Sequence, residues 1–298
     1  MASRYWAIGS HKGLRWIIPH NPKYGLSVLR QWRPYSPISY LKWQLLLVAY
    51  RLRLLQRLPG VSAIAIAGVA DKDWRHLGFE ALCAQPVIYI GTPGPTRKAV
   101  VSIIDNGSHR LKGIAKVPLA NGAKQKILQE ANYLTRLATQ KPGLAPQMLY
   151  VNSEAGIAVQ TALTGKLTGT SLTSAHVDWF EQTHMPNCHT SLHQHVTALY
   201  TKIETSCDIN TGVRTQLIQA LEAIDDAKTL PAVWVHGDFV PWNLKWSGEH
   251  KLSAIDWEET YPNGLPLQDL FHFRYIQAHL LKLHTNVWVT ARLAPDVA

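Results

Sequence analysis

Residues 233–259 read VWVHGDFVPWNLKWSGEHKLSAIDWEE, with the polar groups at the ends of two short apolar runs. The first run delivers His236, Gly237 and Asp238, and Asn243 follows five residues after the aspartate. The second run delivers Asp256, thirteen residues after Asn243. Two carboxylates and one amide oxygen brought close together suit a hard, oxygen-seeking cation such as Mg²⁺.

The elements that must hold these groups can be read along the chain. Residues 36–58 have the length and Leu/Arg content of a helix stopped at Pro59-Gly60. At about 100° per residue, Lys42, Arg53, Gln56 and Arg57 share one side and Arg51 falls opposite, so the amphipathicity is imperfect. Residues 61–70 (VSAIAIAGVA) read as a strand. Residues 86–90 and 99–104 read as two strands joined by the loop GTPGPTRK, and residues 111–117 as a third. Asn121 is a plausible cap for a helix through about Thr139, with Ile127, Leu128, Ala131 and Leu134 on one stripe. Two more strands follow at 148–151 and 157–163, then a Gly/Thr/Ser-rich linker, TALTGKLTGTS. Beyond it helices are expected around 174–183, 189–206 and 211–226, and a last one in PLQDLFHFRYIQAHLLKLH. No internal repeat or low-complexity tract is evident.

Composition bounds the class. A chain of 298 residues with 46% apolar content can bury a large core in one or two domains. Cys83, Cys188 and Cys207 are odd in number and lack C-x-x-C spacing, which disfavours a disulfide scaffold or zinc finger and fits a reducing cytoplasm. The N-terminus has no apolar segment of signal-peptide length, and no apolar run approaches the roughly 20 residues of a spanning helix. The expectation is a cytoplasmic protein, at most peripheral to the inner face of a membrane. Charge is uneven: residues 1–60 hold ten Lys or Arg and no Asp or Glu, so the formal +10 of the chain belongs to its first fifth. That asymmetry fits an anionic partner, a membrane surface or an acidic substrate ahead of nucleic acid, or a solubilising face packed on the rest.

A small β-rich lobe, a linker and a helical lobe with acids on paired short strands form a recognisable order. The pattern H-G-D-x-x-x-x-N followed by I-D-W-E resembles the aminoglycoside and choline phosphotransferase family, which shares the protein-kinase fold; the kinase version is H-R-D-x-x-x-x-N with D-F-G. Gly237 stands where those kinases carry arginine. The resemblance covers roughly residues 86–275. Its matching spacings disfavour the alternative of two surface turns with ordinary polar residues. It implies an α+β, protein-kinase-like two-lobe fold: a small antiparallel β lobe plus a mainly helical lobe, with a basic N-terminal extension. The expected division is residues 1–85 for the extension, 86–159 for the nucleotide-binding lobe, and 160–298 for the hinge and helical lobe.

By that resemblance Asp238 is the catalytic base, and Asn243 and Asp256 are the Mg²⁺ ligands. His236 braces the loop, and Trp242 and Trp257 pack beside the site. Glu258 helps position metal or water, and Asp269 supports the catalytic loop from below. Lys116, a cation in the apolar strand GIAKV, is the candidate for the nucleotide phosphates, with Lys112 its competitor. A charge in a buried strand needs a partner, and Glu130 resembles the helix glutamate that supplies it. The alternatives are an edge-strand lysine and a solvated helix glutamate. Gly91 and Gly94 permit close backbone approach to a triphosphate. Pro93 and Pro95 remove donors from that loop, for which Thr92, Thr96 and Arg97 are available. Gln160 and Ala162 fall in the hinge that meets the base, and ATP is the family's default.

Only nine residues separate Asp256 from Pro266, and no A-P-E-like segment follows, so a small hydroxyl-bearing acceptor is favoured over a peptide. The motif and the Trp-rich basic extension look most like kinases of polysaccharide or glycolipid synthesis. Two other classes stay open: a kinase-like, non-catalytic binding module, and a peripheral membrane protein in which the extension dominates, with Trp6, Trp16, Trp32 and Trp43 at the lipid interface. His189 and His193, four apart on an expected helix near Cys188, also make a metal pair conceivable.

Overall fold

The computed structural model describes residues 3–10, 13–66, 84–248 and 251–281. The chain opens with a hairpin, β1 (Ser3–Ser10) and β2 (Gly13–Pro19), followed by α1 (Pro22–Leu29), α2 (Pro37–Arg51) and β3 (Val61–Ile66). Ser36 caps α2 by accepting from Ser39 N–H at 3.4 Å, and Pro37, with no N–H to waste, takes its first position. Arg53 turns left-handed (φ 59°) and ends it, so the expected long helix to residue 58 is an α-helix followed by a short 3₁₀ turn at Leu55–Arg57. Residues 67–70 of the expected strand lie outside the described residues.

Next come β4 (Ala84–Ile90), β5 (Lys98–Asp105), β6 (Leu111–Pro118), α3 (Asn121–Gln140), β7 (Met148–Asn152) and β8 (Ile157–Thr161). These strands and the first three form one antiparallel sheet, ordered β3-β1-β2-β4-β5-β6-β8-β7. The opening 66 residues thus continue the sheet through the β2–β4 pair, Trp16 against Tyr89 and Ile17 against Ile88. Their aromatic and aliphatic side chains make a core of their own, in which Trp6, Ile18, Leu29 and Tyr50 close on Val87 and Ile104. The residue capping α3 is Ala120; Asn121 is already its first helical residue. The buried stripe of α3 runs Ala123, Ile127, Glu130, Ala131, Leu134 and Leu137, so one carboxylate is forced into the apolar face.

The remaining elements are α4 (Ser174–Thr183), β9 (His184–Ser191), α5 (Leu192–Thr205), α6 (Thr211–Ile224), β10 (Thr229–Val235), β11 (Leu244–Trp246), β12 (Leu252–Ala254), β13 (Tyr261–Gly264) and α7 (Gln268–His279). The helix expected from residue 189 starts only at 192. Residues 184–191 instead pair with β10, and Ser191 then caps the helix by accepting from Gln194 N–H. Trp179, Trp234, Phe239, Trp257 and Phe273 fill the core of this half. An antiparallel sheet with one long helix, joined through residues 162–173 to a mainly helical half, is the protein-kinase-like two-lobe arrangement. No described helix is long and apolar enough to cross a membrane.

Candidate active site

The loop after β10 is fixed from beneath. Asp269, in the first turn of α7, accepts from His236 N–H at 2.7 Å and Gly237 N–H at 3.0 Å. The His236 ring is wholly buried; Nε2 donates to Ile255 O (3.0 Å) and Nδ1 accepts from Asp238 N–H (3.2 Å). Burial pushes its pKa down, in keeping with a neutral ring that donates at one nitrogen and accepts at the other. Gly237 adopts φ 81°, and a Cβ there would stand 2.3 Å from Glu259 O. No side chain fits, which accounts for glycine at the position between His236 and Asp238.

Asp238 points outward, and its side chain is 38% exposed. Asn243, at the start of the β11–β12 hairpin, donates Nδ2 to Asp238 O (3.0 Å) and to Asp238 Oδ2 (2.9 Å). With its nitrogen so engaged, Asn243 keeps Oδ1 as an oxygen donor. His272 Nε2 lies 3.3 Å from the other oxygen of Asp238.

Asp256 follows β12 in a left-handed conformation (φ 67°). Its Oδ1 meets Lys116 Nζ at 2.5 Å and Lys98 Nζ at 3.3 Å. Lys116, on β6, also reaches both oxygens of Glu130 at 2.8 and 2.7 Å. Glu130 in turn accepts from Trp257 N–H at 3.1 Å, tying α3 to the Asp256 loop. Burial alone would raise the Asp256 carboxyl, but Lys116 and then Lys98 outweigh it and hold the pKa well below the usual carboxylate range. For Lys116 burial is likewise outweighed, by Asp256 and then Glu130, and the ammonium is held above its ordinary value. Lys112 is exposed at the start of the same strand. Glu258 pairs with Lys98.

A cavity of about 390 Å³ runs from this cluster. Asn243, Asp256, Lys116 and Lys98 line one end, Gln160, Thr161 and Leu163 another part, and Gln31, Trp32 and Arg33 of the opening segment a wall. The structure does not bring every expected residue to it. Ala162 is not among the lining residues, and its N–H donates to Lys112 O at 3.4 Å. Gly91 and Gly94 are likewise not lining residues. Gly91 N–H donates to Lys98 O (2.9 Å), and Gly94 O accepts from Arg97 N–H (3.2 Å), so the loop is closed on itself. Gly122, where a Cβ would meet Pro95 O at 2.8 Å, lets α3 abut that loop.

Sequence reasoning missed Lys98, Lys245 and His272. Lys98 is placed by cross-strand register: Val100 faces Lys116 across the β5–β6 pair, so Lys98, two residues earlier, shares its face. Lys245 stands two residues after Asn243, on β11. It is buried, donates to Gln31 Oε1 (2.7 Å) and Leu163 O (3.0 Å), and burial pulls its pKa from 10.5 to about 8. His272 carries no local signal. The four tryptophans expected at a lipid interface are mostly committed elsewhere: Trp6, Trp16 and Trp43 pack in the core of the opening segment, and Trp32 lies against Tyr89 with ring centroids 4.3 Å apart. His189 is on β9 and His193 on α5, where it meets Asp225 at 2.9 Å, so they do not form a helical pair. Among the described residues no cluster of three or more His, Cys, Asp or Glu is arranged to hold a metal.

Residues 203–294 match the sequence model of the Phosphotransferase enzyme family, a segment that contains the catalytic-type loop, the hairpin and Asp256. The resemblance read from the motif is borne out there. No curated protein matches the chain. Similar solved structures include the macrolide 2'-phosphotransferase MphH from Brachybacterium faecium (17% identity, 62% of this chain and 70% of that one, TM-score 0.45). Others are the GDP and kanamycin complex of APH(2")-IIia (14%, 71% and 82%, TM-score 0.46) and an aminoglycoside-3'-phosphotransferase of type VIII (17%, 71% and 84%, TM-score 0.44).

Proposed function

We propose that the chain is an ATP- and Mg²⁺-dependent phosphotransferase acting on a hydroxyl of a small molecule. The observation that carries this reading is the joint placement of Asn243, Asp256 and Lys116 around one cavity, with Lys116 paired to Glu130 behind it and Asp238 hydrogen-bonded to Asn243.

The donor set fits Mg²⁺. Asn243 offers Oδ1, and Asp256 is held ionised by its lysines through one oxygen, leaving the other. These two residues would hold the cation, which when bound neutralises charge on phosphate oxygens. Lys116, oriented by Glu130, and Lys98, oriented by Glu258, set cationic charge where phosphate would lie. Lys98 makes up for the backbone donors that Pro93 and Pro95 lack in the loop. Asp238 is exposed enough to meet an acceptor hydroxyl. It would orient that hydroxyl and take its proton late, as a loose phosphoryl-transfer transition state allows. His236 and Asp269 keep the loop in place and touch no substrate in this reading. The neighbours' names concern antibiotics and do not decide the acceptor; sugars and glycolipid precursors remain the favoured class because of the basic extension.

The test is incubation with Mg-ATP and a panel of sugars, amino-alcohols, glycolipids and aminoglycosides, with phosphoproduct detected by mass. Asp238→Asn should lower kcat by about 10³-fold or more while nucleotide affinity stays near wild type. Intact turnover in that variant removes Asp238 from the chemistry. Nucleotide binding without transfer to any acceptor favours the binding-module alternative.

A further inference from the structure

Helix α2 carries an apolar ridge that none of the described residues covers. Ile38, Leu41, Leu45, Val48 and Leu52 are each more than half exposed, from 52% at Val48 to 70% at Ile38. At about 100° per residue they fall within an arc of roughly 80°. The opposite face, through Trp43, Leu46, Leu47 and Tyr50, packs into the core of the opening segment. The ridge is therefore the outer surface of an anchored helix, not a helix awaiting a place in the fold. Isolated exposed aliphatic residues need no explanation; five in one row do.

The rim says what covers it. Lys42 flanks the row on one side and Arg51 on the other, both exposed. Residues 1–60 supply ten Lys or Arg and no Asp or Glu. A second copy of the chain laid on this face would set cation against cation with no local acid to relieve it. Nucleic acid would satisfy the cations and leave the aliphatic row in water. A surface offering anionic headgroups above hydrocarbon satisfies both.

We infer that α2 docks flat on an anionic lipid bilayer, its ridge entering the headgroup boundary and its rim cations pairing with lipid phosphates. The membrane contact is aliphatic, made by one helix face, and it stands independently of the phosphotransferase reading.

The experiment is co-sedimentation of the full chain with phosphatidylcholine vesicles, with and without about 30% phosphatidylglycerol. It compares wild type, a ridge variant (Leu41→Gln, Leu45→Gln, Val48→Gln) and a rim variant (Lys42→Gln, Arg51→Gln). Circular dichroism and thermal midpoint check the fold, and single Leu45→Gln replaces the triple variant if that one unfolds. The expectation is binding to the anionic vesicles only, weakened by salt and reduced at least about ten-fold by the ridge variant. The rim variant should also weaken it. Binding that the ridge variant leaves unchanged reduces the contact to charge alone and overturns insertion. No vesicle binding, with a dimer in sedimentation equilibrium that Leu45→Gln dissolves, makes the ridge a self-interface and overturns the proposal. No vesicle binding and no dimer overturns it as well.

Discussion

Lys245→Met removes a buried amine while keeping most of the volume of its stem. Lys245 is 6% exposed and its two hydrogen-bond partners, Gln31 Oε1 and Leu163 O, are neutral. No carboxylate repays the burial of its charge. The gap between 10.5 and about 8 corresponds to about 3 kcal/mol held against the charged form in the folded state. The two hydrogen bonds return about 1–3 kcal/mol. At pH 7 the methionine variant should therefore match the wild type or exceed it by about 1–2 kcal/mol. The sign with pH follows from linkage. The folded pKa lies below the unfolded one, so the contribution of Lys245 is fully present above about 10.5 and is lost as pH falls through about 8. At pH 10.5 the wild type keeps its hydrogen bonds without the charge, and the variant should be the less stable by about 1–3 kcal/mol. Urea unfolding of both proteins at pH 7 and pH 10.5 gives the two differences, and all other titrating groups cancel between them. A variant that loses the same stability at both pH values, or loses more at pH 7, refutes the reasoning, because the charged lysine would then be stabilising the fold.

Two further outcomes test the site. Asp256→Asn should abolish Mg²⁺-dependent turnover and weaken Mg-ATP binding in calorimetry with the protein still folded, whereas unchanged turnover would remove Asp256 from the metal site. Gly237→Ala places a Cβ against Glu259 O at a left-handed backbone position, and should cost about 2 kcal/mol or more in urea unfolding; a loss under about 0.5 kcal/mol would mean that the loop yields freely.

What could be read beforehand follows physical range. The strands flanking GTPGPTRK and the helix carrying Glu130 were legible because period 2 and period 3.6 are local signals. The loop from His236 to Asn243 was legible because its residue types stand at the fixed spacing of the family motif it resembles. Residues 189–191 were misread as the start of a helix because their pairing with β10 is a long-range contact, and local polarity does not announce it. The tryptophans of the first fifth were assigned to a lipid surface by composition. Composition cannot tell a Trp that faces outward from one such as Trp6, which closes a core on Val87 and Ile104. Lys98 and Lys245 needed cross-strand register and a neighbour more than 200 residues away, respectively, before their position had meaning.

The opening segment then has two faces with different duties. On the inside, Gln31 binds Lys245 and Trp32 and Arg33 line the cavity that Lys116 and Asp256 share. A few residues on, α2 begins, and its ridge starts at Ile38. The stretch from Arg33 to Tyr40 also lines a second cavity of about 620 Å³, against Leu167, Gly169 and Thr170. A surface held on the ridge would thus lie at the end of a short, proline-stiffened connection, Pro34 and Pro37, from both cavities. The charge asymmetry of the sequence and the chemistry of the loop, which looked like separate facts about separate ends of the chain, meet at this connection. An acceptor presented from a bilayer would reach the protein beside the residues that line its cavities, and a soluble acceptor would gain nothing from the ridge. Comparing kcat/KM for a lipid-borne and a water-soluble form of one acceptor, with wild type and the ridge variant, separates the two cases: loss confined to the lipid-borne form ties membrane docking to catalysis, and equal rates show that they are independent.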